Sequence, residues 1–102
     1  MTAPDDSPPE TLAELAHVRR DIEAIDRRII GLLAERLALG KRTAALKHAS
    51  GLPILDAARE AEVIRRSAGI AREHGVPAEP VREIFWHIVG MSRRMQERDA
   101  AP

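Results

Sequence analysis

The sequence has no cysteine, so it offers neither a disulfide framework nor thiol chemistry. Its 16 basic and 16 acidic side chains cancel, which removes any electrostatic reason to expect nucleic acid or an anionic membrane as partner. No apolar run approaches the length of a membrane span. The four histidines, His17, His48, His74 and His87, lack metal-ligand spacing. Neither a Gly-rich phosphate loop nor a Ser/His/Asp pattern occurs, so no metal or cofactor is expected. Aromatic residues are limited to Phe85 and Trp86, and β-branched residues are scarce outside apolar helix positions. What remains is rich in Ala, Leu, Arg and Glu, a composition that favours helix.

At 102 residues the chain makes one domain at most, small enough that association with another copy would help it. The opening "MTAPDDSPPE" is acidic and proline-rich, unlike the basic and apolar start of a signal peptide. It reads as a disordered tail over residues 1–10, followed by a helical domain over 11–98 and a short tail at 99–102. A soluble, cytoplasmic protein is expected.

Three helices are predicted. The first runs from Leu12 to about His48 without proline, with one heptad row of Leu15, Ile22, Ile29, Arg36 and Thr43. Its companion row is Val18, Ile25, Leu32, Leu39 and Leu46, a coiled-coil-like periodicity. Ser50-Gly51, followed by Pro53, ends it. A second helix fits Ala57 to about Glu73, with Ala61, Ile64, Ala68 and Ala71 on one face, and stops at His74-Gly75-Val76-Pro77. The third starts near Pro80 and continues to about Arg98, with Val81, Ile84, Phe85, Ile88, Val89 and Met95 as its apolar positions. A first helix of this length spans roughly 55 Å, whereas a compact 100-residue domain has a radius of gyration near 13 Å. Its apolar stripe therefore needs another chain. The fold class expected is all-α, with one very long helix, in an intertwined antiparallel homodimer.

Several polar residues stand where apolar ones belong. Arg36 occupies a heptad core position; it either sets register, snorkels outward or meets an anion. Ser92 and Gln96 continue the stripe of Ile84 and Ile88, although a frayed final turn would explain them equally well. In "LPILDAAREAEV", Asp56 suits a helix N-cap and Glu60 suits the first turn, but Arg59 opposes the helix dipole and calls for a nearby anion. Lys47 shares a stripe with Arg19, about 42 Å away along one helix. Solvated flank positions account for each singly, while an antiparallel partner would bring Arg19 to the Arg36–Lys47 end. Taken together, Arg36, Lys47, Arg59, Ser92 and Gln96, with acceptors Asp56 and Glu60 and the partner's Arg19, suit a small dianion carrying a hydroxyl or amine.

The segments "VRRDIEAIDRRIIGLLAERLALGKRTAALK", "LPILDAARE" and "EIFWHIVGMSRRMQ" resemble the small, all-helical chorismate mutases over about residues 12–98. The resemblance implies conversion of chorismate to prephenate in an intertwined dimer, without cofactor. It implies that Arg19 crosses the dimer to one substrate carboxylate and that Arg36 pairs with another. Lys47 would bridge a carboxylate and the ether oxygen, to which Gln96 also donates. Ser92 would hold a carboxylate, Arg59 would add positive field, and Asp56 and Glu60 would receive the ring hydroxyl. Three alternatives stay open: a mutase acting on 4-amino-4-deoxychorismate, an isochorismate-pyruvate lyase on the same fold, and a non-enzymatic helical dimerisation module.

Overall fold

A computed structural model describes residues 8–100. It holds three helices, α1 (Pro9–Ala49), α2 (Ala57–Glu73) and α3 (Ala78–Ala100), and no strand among the described residues. The all-α class expected from composition is thus found. Residues 1–7 of the expected N-terminal tail, and residues 101 and 102 of the C-terminal one, lie outside the described residues. The helices nevertheless run further than the pattern suggested. α1 begins at Pro9, within the stretch read as tail, because proline at a first helical position needs no N–H partner and the Pro8 carbonyl accepts from Thr11 and Leu12. α3 begins two residues before Pro80, which sits in the first turn where its missing N–H costs nothing, and it ends at Ala100 rather than Arg98.

Two compact units divide the chain between Glu35 and Arg36, inside α1. The described part of the first unit is helix alone. Its apolar rows stay open to solvent within one chain: Leu15, Val18, Ile22, Ile25, Ile29 and Leu32 are all exposed, and no residue of α1 is buried. The second unit carries the end of α1 with α2 and α3. Its core is made of small side chains. Ser67, Ala68 and Ala71 of α2 are buried, as are Val89, Gly90 and Ser92 of α3. Among the described residues no large side chain is fully buried, and Ile84 and Met95, expected on an inner face, remain exposed. Among the described residues, no helix is long and apolar enough to cross a membrane.

The C-terminal ends of α1 and α2 are closed in the same way. At the end of α1, Leu52 N–H donates to the Lys47 carbonyl (2.8 Å) and Gly51 N–H to that of His48 (3.2 Å). At the end of α2, Val76 N–H reaches the Ala71 carbonyl (2.9 Å) and Gly75 N–H that of Arg72 (3.2 Å). This paired pattern requires a left-handed residue, and the glycines supply it with φ of 70° and 68°. The turn at Gly51 fixes the direction of the chain into α2, and with it the loop that carries Ile54 and Asp56. An L-residue in that conformation costs roughly 1–2 kcal/mol. Gly51→Ala should therefore lower unfolding free energy by about that amount, measured by urea denaturation at fixed protein concentration.

Candidate active site

Helical spacing builds the site from three walls. Arg36, Gly40, Thr43 and Lys47 follow one another at intervals of three and four residues along the last part of α1, so they share a face. Val89, Ser92, Arg93 and Gln96 do the same on α3. The loop before α2 and its first turns add Ile54, Asp56, Arg59, Glu60 and Val63. With Leu39, these residues enclose a partly open cleft of about 310 Å³. That volume is at the small end for ligand sites and suits a compact metabolite.

Seven of the eight residues singled out from the sequence meet here: Arg36, Lys47, Asp56, Arg59, Glu60, Ser92 and Gln96. Arg19 is not among the lining residues; it stands on the part of α1 that belongs to the first unit. Ser92 is 7% exposed, so the frayed-turn explanation of the α3 polar positions does not describe it. Arg36, at its heptad core position, is half-buried against the cleft.

Each group is held by local bonds that leave capacity for a ligand. The Lys47 ammonium donates to the Ile54 carbonyl at 2.9 Å, which aims the side chain and uses one of its three donors. The Gln96 amide donates to the Ser92 hydroxyl at 3.1 Å, leaving its second N–H. Asp56 caps α2, accepting from the Arg59 backbone N–H at 3.0 Å through one carboxylate oxygen. Arg59 finds its anion within its own helix: its guanidinium donates to Glu62 at 3.2 Å, with both side chains about half exposed. The search for an anion near Arg59 is thereby answered by an exposed pair one turn on, while the residue still lines the cleft. Glu60 is met by Arg93, whose Nε donates to it at 3.0 Å.

Among the other lining residues, Gly40 and Arg93 shape the site most directly, and neither was a sequence candidate. Gly40 lets α1 come close to α3: a Cβ there would sit 2.6 Å from the Ser92 hydroxyl and 3.0 Å from the Gln96 amide. Gly31, on the same helix, faces no such neighbour, so sequence alone gave no reason to separate the two. Arg93 follows Phe85 and Val89 at four-residue steps, which was a signal that it leaned inward.

The resulting electrostatics are lopsided. Four cations, Arg36, Lys47, Arg59 and Arg93, line the cleft against two carboxylates, Asp56 and Glu60. Among the described residues, neither Arg36 nor Lys47 forms a salt bridge. Half-buried cations without counterions favour an anionic ligand. The cap itself has a separate, structural consequence. Replacing an N-cap Asp by Ala costs about 1 kcal/mol, and Asp56→Ala should lower stability by that amount in urea denaturation, with or without a ligand-binding role.

The chorismate mutase type II family model matches residues 18–97, an interval that holds all eight candidate residues from Arg19 to Gln96. A chorismate mutase of Methanocaldococcus jannaschii is 32% identical over 87 residues, covering 85% of this chain and 88% of that protein. The bifunctional chorismate mutase/prephenate dehydratase of Aquifex aeolicus is 31% identical over 90 residues, 85% of this chain but 25% of the relative. The T-protein of Enterobacter agglomerans is 31% identical over 78 residues, 76% of this chain and 21% of the relative. The chain thus spans most of the first relative and a quarter or less of the other two. With the helical class, the cationic cleft and the extent of these matches in agreement, the chain belongs to the chorismate mutase type II family.

Proposed function

We propose that this chain is a chorismate mutase, an isomerase that converts chorismate to prephenate on the way to phenylalanine and tyrosine. It works as an intertwined antiparallel homodimer in the cytoplasm, where a chain without cysteine needs no oxidising compartment. The observation that carries the reading is the cleft itself. Four cations, an amide and a buried hydroxyl converge on a space the size of a small dicarboxylate. The exposed apolar rows of α1 support the dimer, since contiguous surfaces of that kind mark an interface. An antiparallel partner would bring its Arg19 to the cleft as a fifth cation.

The reaction is a [3,3] rearrangement, in which one C–O bond breaks and one C–C bond forms within a single molecule. It needs no nucleophile, no covalent intermediate and no obligatory proton transfer. A protein accelerates it in two ways. It holds the enolpyruvyl chain folded over the ring as a near-attack conformer, and it stabilises the negative charge that grows on the ether oxygen as the C–O bond lengthens.

The assigned roles follow from reach and charge. Arg36 forks one carboxylate of the substrate, and the partner's Arg19 holds the other. Ser92 supports a carboxylate, and Arg59 strengthens the positive field at the mouth. Lys47 and Gln96, each with donors left over from their fixing bonds, point at the ether oxygen. Asp56 and Glu60 accept from the ring hydroxyl, each through the oxygen its structural bond leaves free. Because Lys47 and Gln96 are positioned before substrate arrives, little reorganisation is needed when charge develops.

Product identification tests the reading. Purified protein given chorismate, isochorismate and 4-amino-4-deoxychorismate should form prephenate from the first. Salicylate with pyruvate from the second would indicate the lyase, and no turnover would indicate a dimerisation module. Losing one donor to a developing oxyanion costs about 100–1000-fold in rate, or roughly 3–4 kcal/mol. Lys47→Ala should show a fall of that size in kcat; turnover near wild type would remove Lys47 from the chemistry.

A further inference from the structure

Glu60 reaches the cleft already engaged. The Arg93 Nε donates to its Oε2 at 3.0 Å across the α2–α3 boundary, and the two side chains are 33% and 25% exposed. The pair links residues far apart in sequence, unlike the local i,i+3 and i,i+4 pairs that account for most of the other ion pairs. Glu97 lies beside the same guanidinium, but at 3.9 Å it is too far for a hydrogen bond and is half exposed. Arg93 also lines the cleft. Its charge is therefore presented to whatever Glu60 receives.

We infer that Arg93 determines specificity at the ring position: it reserves Glu60 for a neutral hydroxyl donor and disfavours a ring ammonium. The inference rests on the reading of this cleft as a chorismate mutase site and deepens it, since a hydroxyl and an amine are otherwise alike as donors to a carboxylate. An ionised carboxylate has about four acceptor positions on its two oxygens. Arg93 takes one on Oε2, and Oε1 remains for the ligand. A hydroxyl binding there carries no net charge and is indifferent to the guanidinium. An ammonium at hydrogen-bond distance from Oε1 would lie within roughly 6 Å of the guanidinium, where like charges raise the free energy of both. The charge balance of the whole cleft acts in the same direction. Its four cations outnumber its two carboxylates, and the partner's Arg19 of the proposed dimer would widen that excess, which favours a dianion. A ring ammonium, by contrast, cancels part of the ligand's charge.

The test is the ratio of kcat/KM for chorismate to that for 4-amino-4-deoxychorismate, measured on the full chain. Wild type should favour the hydroxyl substrate. Arg93→Met keeps length without charge and should move the ratio toward the amine on the order of tenfold, equivalent to about 1.4 kcal/mol. Arg93→Lys keeps the charge and should retain the wild-type preference, which loss of packing alone would not achieve. Glu60→Gln should move the ratio the other way, because it removes the carboxylate that attracts an ammonium and leaves the Arg93 charge uncompensated. Arg93→Gln, a second neutral replacement, should act as Arg93→Met does and decides the matter should Arg93→Met fail to fold. A ratio that stays put in Arg93→Met, that does not move in Glu60→Gln, or that favours the amine in wild type overturns the inference. Prephenate formation with an unmoved ratio defeats this inference alone. Turnover of neither compound by wild type defeats the functional reading, and the inference falls with it.

Discussion

The constraint on which the rest depends is apolar surface that one chain cannot bury. Among the described residues the buried apolar set is Ala68, Ala71 and Val89, while Ile22, Ile25, Ile29, Leu32, Leu39 and Leu46 stay exposed along α1. Folding must offset an entropy cost of roughly 1–2 kcal/mol for each residue ordered, and three small side chains contribute little toward it. Covering the α1 rows with a second copy, as proposed, would add burial at about 25 cal/mol per Å² of apolar area. In the proposed dimer, stability and site completion would have one origin, because the pairing that buries the rows would also bring Arg19 to the partner's cleft.

Within the second unit, backbone geometry decides where the charges go. Gly51 turns the chain at the end of α1, so that the Ile54 carbonyl comes back to receive Lys47. Asp56 starts α2 beside it, which places Arg59 and Glu60 in the cleft lining. The bare backbone at Gly40 makes room for Ser92 and Gln96 against α1. None of these bonds consumes the group it positions. Lys47, Gln96, Asp56 and Glu60 each keep an unused donor or acceptor, and a rearrangement catalyst needs that combination of fixed direction and free valence.

Much of this was legible in the sequence. The heptad rows of α1, the Gly51 and Gly75 stops and the capping Asp56 each depend on neighbours a few residues away, which a linear pattern records directly. The polar breaks in apolar stripes, at Arg36, Ser92 and Gln96, pointed to one cleft because an interior position demands a partner for polarity. What escaped depended on long-range packing. Gly40 and Gly31 look alike until α3 is set against one of them. The Arg93–Glu60 pair joins two helices, so neither residue announces the other. The position of Arg59 called for a nearby anion or a surface ion pair, and Glu62 one turn along makes such a pair while Arg59 also lines the cleft. α1 and α3 start at Pro9 and Ala78, ahead of Leu12 and Pro80, because a helix's first turn accommodates proline.

Site sharing between two chains is most directly tested by mixing inactive variants. Arg19→Ala and Lys47→Ala homodimers should each be nearly inactive. After joint unfolding and refolding in equal amounts, half of the random dimers are mixed, and each contains one intact cleft that takes Arg19 from one chain and the rest from the other. Activity should then return to roughly a quarter of wild type. If the mixture stays as inactive as its components while refolded wild type recovers, each cleft is served by a single chain and the account is wrong.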